Sequence, residues 1–183
     1  MKRLYFIRHG QSELNKQKIL AGHTDTPLTA KGRSQARAAG KNAHGLAIDC
    51  IVSSPLSRAH ETAHIVAQEI GFPADTIILN PLVIERTYGE LEGTPWDTES
   101  HIDDLDGVET LAAVLARAHE TLTFVSSLPY ENILIASHGT FGLALQAAIQ
   151  GEQTFQDVDG IPNAEVIRFI PTFSFESEHP VAF

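Results

Sequence analysis

A chain of 183 residues with 43% apolar content is expected to form one α/β domain with one core, and no apolar run in it is long enough to span a bilayer. Thirteen lysines and arginines stand against 23 aspartates and glutamates, and the net charge of -10 argues against nucleic acid and anionic membrane as partners. Cys50 is the lone cysteine, which excludes an internal disulfide and fits a reducing compartment; Arg8 comes too early for a signal peptide, so a cytoplasmic address is expected.

In chain order, Leu4–Ile7 reads as a short apolar strand that ends abruptly in Arg8-His9-Gly10-Gln11-Ser12. Residues that leave the end of a buried strand lie at the carboxyl edge of a sheet, where open α/β folds collect ligands. Arg8 offers a fork of donors suited to a phosphoryl group, and His9 an imidazole nitrogen that is nucleophilic near neutral pH. Gly10 lets the backbone turn and come close to a ligand. Ala30–Asn42 is a predicted helix with Thr29 as its cap. Asp49–Val52 is a second strand, and the helix after it runs to Ile70, stopping at Gly71, with Ser54 as cap and Pro55 in its first turn. Arg58 then falls in a helical first turn, where a cation makes sense if an anion shares the site.

Thr76–Leu79 and Leu82–Ile84 read as extended, the latter leading into Glu85-Arg86-Thr87-Tyr88-Gly89. The segment Glu90–Glu109 holds eight carboxylates and no lysine or arginine, and is expected to form a lid-like excursion. A helix over Glu109–Ser126 places Leu111, Val114, Leu115, Ala118, Leu122 and Val125 on one face as core. Ile133–Ala136 is a buried strand, Ser137-His138-Gly139 a strand-to-helix turn, and Thr140–Ile149 a helix that stops near Gly151. Ala164–Ile170 is the last strand, with an irregular tail from Pro171. This alternation predicts a mostly parallel sheet with helices on both faces, a three-layer α/β sandwich.

Arg8-His9-Gly10, Asn15, Ser57-Arg58, Glu85 and Ser137-His138-Gly139, in this order, resemble the histidine phosphatase superfamily, also called phosphoglycerate mutase-like. Asp25-Thr26-Pro27-Leu28-Thr29 and Ile161-Pro162-Asn163-Ala164 are similar to further landmarks of that family. The resemblance covers Leu4 to about Ile170 and implies the phosphoglycerate mutase-like fold in a single domain over residues 1–183. It implies that His9 attacks phosphorus, that Arg8, Arg58 and His138 surround the phosphoryl oxygens, and that Glu85 serves as acid and then base. Asn15, Ser12, and the backbone near Gly22 and Gly139 are implied to contact phosphate, and Arg86 and Tyr88 the rest of the substrate. Neither metal nor cofactor is implied; the partner is a small phosphorylated substrate, and a homodimer is left open.

Within the superfamily the residues Glu85–Gly89 look like those of the cofactor-dependent phosphoglycerate mutases, where the arginine and tyrosine help hold a carboxylate. Against this, Gly89–Ser137 contains a single basic residue, Arg117, and an acidic lid repels a highly anionic cofactor. The reading favoured is a histidine acid phosphatase-type phosphomonoesterase. One further motif competes: His60-Glu61-Thr62-Ala63-His64 matches H-E-x-x-H, the pattern of zinc peptidases, which would need a third ligand such as Glu85.

Overall fold

The computed structural model describes residues 2–96, 102–157 and 160–170. Its strands are β1 (Arg3–Arg8), β2 (Cys50–Ser53), β3 (Ile78–Leu79), β4 (Asn132–Ser137) and β5 (Val166–Phe169). The helices are α1 (Glu13–Gln17), α2 (Ala30–Ala43), α3 (Ser57–Ile70), α4 (Leu111–Ser127) and α5 (Gly139–Gln150). The five strands form one sheet in the order β3-β2-β4-β1-β5, parallel except for β5, which runs against β1. This is the expected mostly parallel sheet.

Both faces of the sheet are covered, because alternate residues of each central strand enter different cores. Leu4, Phe6, Ile133 and Ile135 pack with Val114, Leu115 and Leu122 of α4 and with Phe141 and Leu145 of α5. Tyr5, Ile7, Leu134 and Ala136 pack with Ala39 of α2 and with Ala63 and Val66 of α3. The buried face of α2 is built from Gly32, Ala36, Ala39, Gly40 and Ala43, small residues that bring it close to its neighbours.

The register sets the site. Arg8 pairs with Ser137, while Ser53 and Ile7 both pair with Ala136, so β1, β2 and β4 end level. The residues that leave these ends, His9, Ser54 and His138, are thereby neighbours at one carboxyl edge. His9 N donates to the Ser137 carbonyl (2.9 Å) and Ser54 N to that of Ala136 (3.0 Å). Because β5 is antiparallel, its amino end closes the same edge: the Asn163 side-chain amide donates to the His9 carbonyl (2.8 Å), and Ala164 N to that of Arg8 (2.8 Å).

Several local expectations are corrected. Ser54 does not cap α3; the helix starts after Leu56, whose side chain makes no capping bond. The Ser54 hydroxyl instead accepts from Leu56 N (3.3 Å) and meets His138 Nε2 (2.8 Å). Residues 82–84 are not a strand, because the Asn80 side chain accepts from Leu82 N and starts a 3-10 turn at Pro81–Val83. The extended stretch at 76–79 shrinks to Ile78–Leu79, after a 3-10 turn at Ala74–Thr76. The short α1 was not foreseen; Ser12 and Asn15 form a capping box that starts it. Gly71 and Gly151 end α3 and α5 in the left-handed conformation, as read from the sequence. No helix among the described residues is long and apolar enough to cross a membrane. The tail from Pro171 and residues 97–101 of the acidic excursion lie outside the described residues.

Candidate active site

A cavity of about 630 Å³ opens at the carboxyl edge, lined by Arg8, His9, Asn15, Gly22, Arg58, Glu85, Arg86, Tyr88 and Gly139 among others. Nine of the residues singled out from the sequence therefore share one space. His138 is fully buried behind it, its ring 5.1 Å from that of His9 in an edge contact. Ser12 is also fully buried and does not line the cavity; its hydroxyl accepts from Asn15 N (3.2 Å), which makes it a helix cap rather than a ligand contact. Asn15 spends its side-chain oxygen on Ser12 N (3.3 Å).

His9 has a defined tautomer. Its Nδ1 lies 2.8 Å from the Gly10 carbonyl, which can only accept, so Nδ1 carries the proton. Nε2 is left as the basic nitrogen and accepts from Arg58 Nε (3.2 Å). Burial, then the charges of Arg58 and Arg8, hold the imidazole well below its ordinary value of 6.5, against the opposing Gly10 bond. The ring is neutral at pH 7. His138 is depressed for similar reasons, burial first and then Arg58, His9 and Arg8. Its Nε2 meets Ser54, and its Nδ1 has no hydrogen-bond partner among the described residues.

Arg58 is 1% exposed and is held by neutral acceptors: Nη2 donates to the Gly22 carbonyl (2.7 Å) and Nη1 to that of Thr24 (3.1 Å). Gly22 thus acts through its carbonyl, at a positive φ of 49°. Arg8 Nη1 donates to the Ile161 carbonyl (2.7 Å). Gly139 leaves room for it, since a Cβ there would stand 3.2 Å from Arg8 Cζ. Gly10, in contrast, is small for the fold rather than for a ligand: a Cβ would meet the Gly32 carbonyl oxygen of α2 at 2.4 Å.

Glu85 sits on the amino end of α5. Its carboxylate accepts from Phe141 N (3.1 Å), Thr140 N (3.3 Å) and Arg86 N (2.9 Å). The amino end of α5 therefore faces the carboxylate of this side chain. Burial raises the Glu85 pKa above its ordinary 4.5, aided by the charge of Asp157 and opposed by the Arg86 and Phe141 amides and by Arg58.

Three residues that support the site went unassigned in the sequence. His23 Nε2 donates to the Glu85 carbonyl (2.7 Å). Arg117 reaches from α4 to the carbonyls of Leu82 (2.8 Å) and Ile84 (2.7 Å), and to that of Glu85 (3.4 Å). Glu92 accepts from His23 N (2.9 Å), Thr24 N (2.8 Å) and Tyr88 N (3.2 Å), tying the 22–24 loop to the segment after Glu85. Arg117 was visible as a cation beside an apolar helix stripe; the other two gave no local signal.

Arg86 and Tyr88 line the cavity but are already engaged. Arg86 pairs with Asp103 and with Asp157 (3.1 Å), and Nε donates to the Glu109 carbonyl (2.7 Å). Tyr88 Oη donates to Asp157 (3.1 Å) and meets Thr140 Oγ1 (2.9 Å). His60 and His64 lie on α3 away from the cavity lining with rings 4.5 Å apart, and Glu61 is bound by Arg33 at 2.5 Å. No group of three potential metal ligands occurs among the described residues, and Glu85, committed to α5, supplies no third ligand to this pair.

Residues 4–172 match the model of the histidine phosphatase superfamily (branch 1). A Bacillus subtilis protein named as an uncharacterized phosphatase, PhoE, is 35% identical over 155 residues, covering 82% of this chain and 79% of its own. A 2,3-bisphosphoglycerate-dependent phosphoglycerate mutase of Bradyrhizobium is 36% identical over 157 residues, covering 74% and 75%. A solved mycobacterial glucosyl-3-phosphoglycerate phosphatase superimposes with a TM-score of 0.80 over 92% of this chain and 90% of that one, at 24% identity.

Proposed function

From the premise that the chain belongs to the histidine phosphatase superfamily, we propose that it is a phosphomonoesterase that hydrolyses a small phosphorylated metabolite through a phosphohistidine at His9. The observation that carries this reading is the bond from His9 Nδ1 to the Gly10 carbonyl, which leaves an unprotonated Nε2 beside Arg58 in the cavity. Nε2 attacks phosphorus in line with the ester oxygen while Arg8 and Arg58 balance the charge on the equatorial oxygens. His138 packs against His9 from behind that surface and supports the ring. Glu85, its pKa raised by burial, gives its proton to the departing alkoxide. It then takes a proton from the water that cleaves the N–P bond, so free phosphate leaves and His9 is regenerated. Positive charge comes from the arginines, and no step in this scheme requires a metal.

A mutase reading needs basic side chains to capture a bisphosphorylated cofactor. Arg117, the lone basic residue between Gly89 and Ser137, is consumed by Glu109 (2.8 Å) and by the backbone behind Glu85. This supports hydrolysis over mutase transfer.

The test is a panel of phosphomonoesters with and without 2,3-bisphosphoglycerate, alongside acid and base quenches of the wild type and His9→Ala. The expected result is cofactor-independent phosphate release and an acid-labile, base-stable label that His9→Ala lacks. Activity that requires the bisphosphate defeats the phosphatase assignment. Equal labelling of His9→Ala defeats the nucleophile.

A further inference from the structure

Resting on the phosphatase reading, we propose that the substrate's leaving group carries no second anion, and that Asp103 and Asp157 are the specificity-determining residues that enforce this. An arginine beside a tyrosine in the wall of a phosphate cavity is suited to a substrate carboxylate. Here that place is taken from within the chain. Each nitrogen of Arg86 has an acceptor, and two of the three acceptors are carboxylates.

Those carboxylates are fixed on both sides. Asp103 directs its other oxygen to Leu111 N (3.1 Å), the first residue of α4, where an anion also meets the helix dipole. Asp157 accepts from Thr140 Oγ1 (2.8 Å) and from Tyr88 Oη (3.1 Å). Asp104, next in the chain to Asp103, also lines the cavity. With Asp103, Asp104 and Asp157 against Arg86, the formal charge there is net negative. The cavity is therefore cationic around His9 and anionic around Arg86. The apolar part of the lining includes Ile19, Leu20, Leu91, Trp96, Ile102 and Phe155.

A phosphomonoester of a neutral alcohol with an apolar body matches both ends. Its phosphoryl group meets Arg8 and Arg58, and its carbon skeleton meets the apolar wall. A phosphorylated acid or a bisphosphate would bring a second anion against fixed carboxylates, with no uncommitted cation at Arg86 to receive it.

The test uses two inert analogues of matched shape, 4-carbamoylphenylphosphonate and 4-carboxyphenylphosphonate, titrated calorimetrically into the full chain. The wild type is expected to bind the uncharged ring about tenfold more tightly, the scale of one unfavourable charge contact at short range. The double variant Asp103→Asn/Asp157→Asn frees Arg86, and the preference should narrow to within about threefold. Equal binding by the wild type overturns the inference whether or not the variant folds, as does a folded double variant that keeps the full preference. The matching phosphate esters, assayed in parallel, report separately on hydrolysis, so a chain that discriminates between the phosphonates but releases no phosphate defeats the phosphatase reading alone.

Discussion

Arg58 and Arg86 are both 1% exposed, both line the same cavity, and differ in what holds them. Arg58 donates to carbonyls and to an imidazole nitrogen, all neutral, so its charge stays available to an arriving phosphoryl group. Arg86 donates to two carboxylates and its charge is cancelled before a ligand arrives. Burying a cation without a counter-ion is costly. At Arg86 two direct ion pairs meet that cost, whereas Arg58 has only the longer-range charges of Glu85, Asp25 and Glu92 to favour its protonated form, and a phosphate beside it would offset the rest. Under the proposed reading, the same residue type at the same burial serves recognition in one place and structure in the other.

Removing each arginine in turn separates the two roles. Arg58→Ala should lower kcat/KM by about 10²- to 10³-fold for every phosphomonoester, the usual scale for a donor aimed at developing charge. A loss of only a few-fold would make Arg58 a structural ion like Arg86. Glu85→Gln tests the acid and should depend on the leaving group. An alkyl phosphate should lose about 10²- to 10⁴-fold in single-turnover phosphorylation, whereas nitrophenyl phosphate, which departs without a proton, should lose far less. Equal losses for both would remove Glu85 from the proton transfer.

Arg86→Ala is expected to act on stability before chemistry. It strands Asp103 and Asp157, whose side chains are 41% and 23% exposed, so solvent tempers the penalty to about 1–3 kcal/mol. Chemical denaturation measures this, and an unchanged midpoint would show that the ion pairs contribute nothing.

The smallest effect is on pH. His9 and His138 have folded pKa values below 6.5, so between that value and their folded pKa values the unfolded chain binds protons that the folded chain refuses. Their contribution to stability is present above pH 6.5 and is lost as pH falls through the folded values. Glu85 has the opposite sign: raised above 4.5, its contribution is present below that pH and lost as pH rises through its folded value. Melting temperatures should therefore decline on acidification below pH 6.5, with a shallower slope in His9→Ala. The kcat/KM profile should persist below pH 6.5, because neutral His9 is retained there, and should fall on the alkaline side as Glu85 loses its proton.

The inner end was the more legible part of the sequence. Arg8, His9 and His138 come directly after short apolar runs, and a parallel sheet brings such strand ends together whatever their separation in the chain. The helix stops at Gly71 and Gly151 were equally plain, since a left-handed residue is a local requirement. The outer end was not legible. Nothing near Arg86 announces that Asp157, 71 residues later, would neutralise it. The Ser54 cap failed for a related reason: its hydroxyl has a tertiary partner in His138, 84 residues away, which no local rule anticipates. Glu85 follows an apolar run that is a 3-10 turn rather than the strand expected, and its seat on the α5 amides depends on how β4 places that helix.

The central claim is that His9 Nε2, the nitrogen left basic by the Gly10 bond, accepts the phosphoryl group. Glu85→Gln should slow hydrolysis of the intermediate enough to trap it with nitrophenyl phosphate, and phosphorus NMR after denaturation in base distinguishes the two phosphohistidine isomers. The expected species is Nε2-phosphohistidine at His9, in close to one equivalent per active site. A phosphoryl group on Nδ1 or on any other residue, or turnover with no phosphoenzyme at all, would contradict it.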